Sequence, residues 1–196
     1  MISLALAGKA LWVVLVTGWY LLRRPFDRRA RRARLTVDRR KGADTIRLAI
    51  SLLGLGIVPA LYIATGFPDF ASYPAHPLLL TLGIISGLTA LVLFRLTHKA
   101  LGKMWSVSLQ LKQDHKLVTT GVYKLVRHPM YTAFWCLALA QALLLPNYIA
   151  GFAGIAGFGY LFFSRVGPEE AMMQEAFAEE YTLYRARTWR VVPYIY

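Results

Sequence analysis

Apolar runs separated by short charged stretches constrain this chain more than any other feature. Five of them, at residues 4–22, 46–64, 78–97, 129–145 and 148–164, are candidates for helices that cross a bilayer. At 1.5 Å per residue, ~20 residues span the ~30 Å hydrocarbon layer. Lipid offers no water to an exposed backbone amide, so a crossing segment must satisfy its hydrogen bonds internally, as a helix does. The last two runs are short and joined only by Pro146-Asn147, which predicts a tight helical hairpin with its turn near the far surface. The expected fold is an all-α integral membrane protein with about five transmembrane helices, this hairpin among them, and a cytoplasmic C-terminal helix.

Composition separates this reading from its main rival. Lys and Arg number 23 against 10 Asp and Glu, a balance that nucleic-acid binding also produces. Yet 57% of the residues are hydrophobic and the mean hydropathy is +0.44, so the cations are read against a membrane and no nucleic acid is expected as partner. Ten of them lie within residues 23–41, whereas residues 65–77 hold none. By the positive-inside rule the first loop is cytoplasmic and the N-terminus outside, with residues 98–127 and the tail after Arg165 cytoplasmic as well. RRPFDRRARRAR follows the first run without a small-residue cleavage site, so residues 4–22 read as a retained helix, with Lys9 extending toward the nearer face.

Smaller signals fit the same frame. Cys136 is alone in an apolar stretch and reads as a small buried hydrophobe. Glycines 151, 154, 157 and 159 follow no strand, so close helix packing explains them better than a phosphate loop. Pro59 predicts a kink whose freed carbonyl is covered by neighbouring groups. WSVSLQLKQDHKLVTTG, residues 105–121, alternates apolar and polar residues and predicts a short extended or hairpin-like excursion at the interface.

Two clusters carry residue types suited to chemistry. In RHPMY, Pro129 keeps His128 out of helical geometry and suits the first turn of the fourth membrane helix. His128 then stands beside a helix N-terminus, whose N–H groups and dipole favour a carboxylate. An interfacial belt in which Arg127 and Tyr131 anchor the helix and His128 merely caps it uses the same residues. In the tail, Gly167-Pro168 predicts the end of the fifth helix and the start of another, with Glu169 and Glu170 in its first turn. There the pair either complements the helix dipole or holds a cationic ligand. Met173, Phe177, Tyr181 and Tyr184 form a stripe at helical spacing that can dock on the membrane domain. Arg165, at the end of the fifth helix, is placed to grip a carboxylate.

HKLVTTGVYKLVRHPMY, followed after the hairpin by RVGPEEAMMQEAFAEEYTLYRARTWRVVP, resembles the isoprenylcysteine carboxyl methyltransferase family, including its prokaryotic membrane relatives. The resemblance covers residues 98–193 and implies a single membrane methyltransferase domain over residues 1–196, with variable helices in 1–97 and the cofactor-binding catalytic part in 98–196. It implies S-adenosylmethionine as cofactor, S-adenosylhomocysteine as product, and methylation of the carboxylate of a lipophilic acceptor, in a prokaryotic cell membrane and without a metal. By that resemblance the cofactor contacts fall on Lys116, Leu117, Val118, Tyr123, His128, Met130, Tyr131, Glu169 and Glu170. Arg165 falls where the acceptor's carboxylate is met, and Arg127 and Arg187 match basic positions of the catalytic set. Ala178 replaces a common glycine of the family, which implies a helix that continues there. A phospholipid head-group amine N-methyltransferase and a non-enzymatic membrane protein that docks a partner are the competing readings.

Overall fold

The computed structural model describes residues 3–30, 35–38, 42–102, 110–112 and 116–196. Helix α1 spans Leu4–Ala30 and α2 Gly42–Leu52, which runs through a π-helical turn, Leu53–Ile57, into α3, Val58–Thr65. Helix α4 spans Pro77–Leu101, α5 Pro129–Leu144 and α6 Tyr148–Ala186. Four helical stretches, Leu4–Arg28, Asp44–Thr65, Pro77–Leu101 and Tyr148–Ala186, are long and apolar enough to cross a membrane, and Pro129–Leu144 is a shorter apolar helix. Their outer faces suit lipid: on α4, Leu78, Leu82, Ile85, Leu88, Val92 and Leu96 recur at helical spacing and are all exposed. The chain is an all-helical integral membrane protein apart from one short ribbon.

That ribbon realises the extended alternative expected for the alternating stretch, at residues 110–112. Residues 110–112 are extended (β2) and pair antiparallel with residues 35–38 (β1), in the register Leu35 with Lys112 and Asp38 with Gln110. The rest of the alternating stretch up to residue 115, and much of the arginine-rich run, lie outside the described residues.

Inside the bundle, polar side chains replace water for backbone groups that the helices leave open. Val58 donates its N–H to Leu53 in the π turn, and the next residue, Pro59, has no N–H to give to Gly54. Gln141 of α5, 1% exposed, donates to that Gly54 carbonyl at 3.0 Å and to the Ala150 carbonyl at 2.8 Å, while its oxygen accepts from Trp12 Nε1 at 3.3 Å. One amide thus connects α1, the π turn, α5 and α6. The same region depends on glycine: a Cβ on Gly54 would lie 2.2 Å from the Ala153 carbonyl oxygen, and one on Gly157 would lie 2.8 Å from that of Ile50. Lys9 sits over the Tyr62 ring, 4.3 Å from its centroid, and Cys136 is half-buried with a free thiol.

The α5–α6 hairpin turns at Pro146-Asn147 as expected. Asn147 is fully buried and caps α6, accepting from the N–H groups of Ile149 and Ala150 at 3.1 and 2.8 Å. Its amide nitrogen donates to the Pro68 carbonyl and to Ser72 Oγ. The turn is therefore tied to the loop before α4, at the end of the bundle opposite His128.

Helix α6 departs from the sequence expectation in two places. It runs straight through Gly167-Pro168: the residue before a proline is pushed out of the helical region largely by its Cβ, and Gly167 has none. Glu169 and Glu170 therefore stand mid-helix, without the open N-terminus that a dipole argument needs. The break comes at Ala178, with φ 43 and ψ −114, where a continuing helix was expected. Gln174 Nε2 and Thr182 Oγ1 both donate to the Ala178 carbonyl, at 2.7 and 3.1 Å, and hold the bend.

Replacing Gln141 with Leu should lower stability in detergent by about 1–3 kcal/mol, since it strands two carbonyls and an indole N–H. Ala178→Gly should raise it by about 1 kcal/mol by relieving a conformation that a Cβ disfavours. Thermal unfolding of the purified variants measures both.

Candidate functional site

The segment before α5 is held by the end of the chain. Arg127 and His128 donate backbone N–H groups to the carbonyls of Trp189 and Arg190 at 2.7 and 2.9 Å, and Trp189 donates to Leu125 at 3.2 Å. Val126 and Trp189 form a parallel bridge. Pro129 occupies the first turn of α5, with His128 as its N-cap residue in a non-helical conformation. The imidazole does not cap the helix. It reaches instead to α6.

There the paired glutamates serve different ends. Glu170, 5% exposed, accepts from Arg127 Nε at 3.1 Å and from Arg190 Nη2 at 2.9 Å, and lies 3.3 Å from His128 Nε2. Arg127 also donates to the carbonyls of Arg185 and Thr188. Glu170 is thus a buried clasp between the RHP segment and the tail, and it reinforces the charge of Arg190. Glu169 faces the other way. It accepts from the Tyr131 hydroxyl, lies 3.7 Å from His128 Nδ1 and 3.9 Å from Arg165 Nε. Both ring nitrogens of His128 therefore face carboxylates, while its ring stacks on Tyr131 at 5.4 Å.

These groups meet at one cavity of about 400 Å³, in the ordinary range for small-molecule sites, roughly 300–1,000 Å³. Lys116, Leu117, Val118, Tyr123, Arg127, His128, Met130, Tyr131, Arg165 and Glu169 all line it. Glu170 and Arg187 are not in its wall: the first is the clasp, and the second is exposed at the C-cap of α6. The opposite end is apolar, formed by Leu48, Leu52, Leu55, Phe134, Leu137, Phe158 and Leu161. A charged mouth and a greasy interior therefore belong to one space.

The residues fit a polar, cationic cofactor on observations of the wall itself. Tyr181, 2% exposed, is a lining residue of this cavity, and its buried hydroxyl has no hydrogen-bond partner among the described residues; a buried hydroxyl in a site wall without a partner is open to one from a bound polar group. The Nε1 of Trp19, also a lining residue, is in the same condition. Burial, with the charge of Glu169 adding to it, pushes the Tyr123 phenol well above its usual pKa, so this side chain stays neutral. Glu169 contributes the negative charge that a sulfonium or ammonium needs.

Several lining groups had no warning in the sequence. Trp19 and Arg23 come from α1, Leu48 to Leu55 from α2 and the π turn, and His98 from the end of α4. Arg190, outside the wall, holds Glu170. Asp44, 2% exposed in the first turn of α2, lies 3.8 Å from Arg165 Nε. A lone Asp ahead of an apolar run signals a helix start and no more.

Comparison with known proteins places this geometry in context. Residues 80–175 match the isoprenylcysteine carboxyl methyltransferase (ICMT) family. The chain is 34% identical over 89 residues to a protein-S-isoprenylcysteine O-methyltransferase of Schizosaccharomyces pombe, covering 45% of this chain and 38% of that protein. It is 29% identical over 115 residues to protein-S-isoprenylcysteine O-methyltransferase B of Arabidopsis thaliana, covering 56% and 58%. A solved structure of the eukaryotic intramembrane Ras methyltransferase ICMT aligns with 81% of this chain and 55% of its own, at a TM-score of 0.47 and 22% identity. The chain spans 38% and 58% of the lengths of those two curated relatives. The matched residues include His128, Arg165, Glu169 and Glu170 but exclude Asp44, Tyr181 and Arg190.

Glu170→Gln removes the charge that holds Arg127 and Arg190 together. It should destabilise the protein by roughly 2–4 kcal/mol and release protection of the amides of Arg127, His128 and Trp189, as read by hydrogen exchange. Arg187→Ala should leave both measurements unchanged.

Proposed function

We propose, from the match of residues 80–175 to the isoprenylcysteine carboxyl methyltransferase family, that the chain is a membrane methyltransferase. It would use S-adenosylmethionine to methylate the carboxylate of a lipophilic acceptor of the isoprenylcysteine type. The observation that carries this reading is the single cavity in which Glu169, His128 and Arg165 stand at one end and an aliphatic and aromatic lining at the other. A soluble amine or a water-soluble acid has no use for the second half.

S-adenosylmethionine, when bound, supplies a methyl group activated by a sulfonium. Glu169, fixed by the Tyr131 hydroxyl, offers the opposite charge, and the Tyr181 hydroxyl offers a hydrogen bond. Arg165 meets the acceptor's carboxylate and fixes its position. A carboxylate is already ionised near pH 7, so no side chain has to remove a proton. The apolar lining excludes water, which favours a step in which a negative acceptor and a positive donor discharge each other.

The two halves of the chain act as one domain in this proposal, since α1 and α2 line the same cavity as α5 and α6. Helix α1 packs on α4 and α5 while α2 packs on α6, and a lipid-borne acceptor would enter between α1 and α2. We place the charged mouth on the cytoplasmic side. The loop before α4 and the hairpin turn meet at the other end, and neither carries a Lys or Arg.

Incubating the purified protein with labelled S-adenosylmethionine and a membrane extract should give a lipophilic product whose label is lost in alkali, as an ester requires. A base-stable label would exclude an ester, with mass identification of the product then separating an amine from a thiol acceptor, and no cofactor binding by calorimetry would leave a non-enzymatic role. Arg165→Ala should reduce methyl transfer by roughly 100-fold or more with cofactor affinity within about 3-fold of wild type. Glu169→Gln should weaken the cofactor by roughly 10-fold.

A further inference from the structure

Asp44, in the first turn of α2, is a strongly buried acid beside the site, and it lies outside the residues matched to the family. Neither carboxylate oxygen has a hydrogen-bond partner among the described residues. Arg165 Nε lies 3.8 Å from Asp44 Oδ1. That separation is too long for a hydrogen bond, so the two interact through charge, which acts strongly where water is excluded. A carboxylate is costly to bury in this way unless a cation beside it needs it.

A second carboxylate also approaches Arg165. Glu169, one turn along the same helix, lies 3.9 Å from the same Nε. An i,i+4 pair on its own would draw the guanidinium along α6 onto Glu169. Asp44, on a different helix, adds an attraction that comes from α2. Arg165 lines the cavity and Asp44 does not, so an acceptor in the cavity meets the guanidinium and not the Asp44 carboxylate.

We propose that Asp44 is a positioning residue: it keeps the Arg165 guanidinium in the cavity wall, so that α2 sets the site's preference for an acidic acceptor over its neutral analogue. The inference rests on the methyl-transfer reading above and adds to it the residue that controls acceptor chemistry. It acts through Arg165 and does not touch the cofactor.

The test compares N-acetyl-S-farnesylcysteine with its carboxamide, which has the same lipid and no charge. Binding of each is measured in detergent without cofactor, and S-adenosylmethionine binding is measured separately by calorimetry. Wild type should prefer the acid. Asp44→Asn should weaken the acid about 10-fold, leave the carboxamide and S-adenosylmethionine within about 2-fold, and so erase the preference; Asp44→Glu should restore part of it. If the Asn variant does not fold, Asp44→Glu carries the comparison, and its acid affinity alone should fall. An Asn variant that keeps or strengthens the acid preference overturns the proposal, because Asp44 would then only repel the acceptor. Equal losses for acid, carboxamide and cofactor also overturn it, since they describe general structural damage. A wild type that binds S-adenosylmethionine and transfers methyl groups but does not distinguish acid from carboxamide overturns the positioning role alone. A wild type that binds no S-adenosylmethionine overturns both readings.

Discussion

A carboxylate withdrawn from water costs several kcal/mol unless cations and donors replace its hydration, and at Glu170 those replacements come from separate parts of the chain. Arg127 and His128 precede α5, and Arg190 lies in the final residues. None of the three is near Glu170 in sequence, so the carboxylate can be buried only when the tail has folded back onto the RHP segment. The backbone bonds from Arg127 and His128 to Trp189 and Arg190 complete the same closure. The charged end of the cavity exists because this clasp holds His128 at the start of α5 and turns its ring toward α6.

Polar satisfaction also organises the apolar half. Gln141 takes the carbonyl that Pro59 leaves open, and Asn147 caps α6 while holding the loop before α4. In lipid such bonds have no competing water, so they fix which helices can be neighbours and at what height. The close approach of Gly54 and Gly157 adds the steric counterpart. Together these contacts set the cavity's apolar lining, with α2 and α6 on one side and α5 on another.

Two adjacent glutamates thus reach opposite fates on one helix turn. Successive residues on a helix point about 100° apart, and the directions here lead to different neighbours: Arg127 and Arg190 for Glu170, Tyr131 and the cavity for Glu169. Because α6 continues through Gly167-Pro168, that angular difference is preserved. A helix that began at Pro168 would have given both residues to its own N-terminus.

Residue order alone announced the membrane helices, the Pro146-Asn147 hairpin and the break at His128-Pro129, and the family resemblance grouped His128 with the glutamates. Hydropathy, proline geometry and helical spacing are local properties, and a local property survives whatever the rest of the chain does. The tertiary structure decided which glutamate became a clasp, that Asp44 lies beside Arg165, that Ala178 bends the last helix, and that α1 and α2 complete the cavity wall. Those outcomes follow from which helices touch. That in turn is set by hydrogen bonds and close approaches between residues far apart in sequence, such as Trp12 with Gln141 or Asp44 with Arg165, and no spacing within a single segment encodes them.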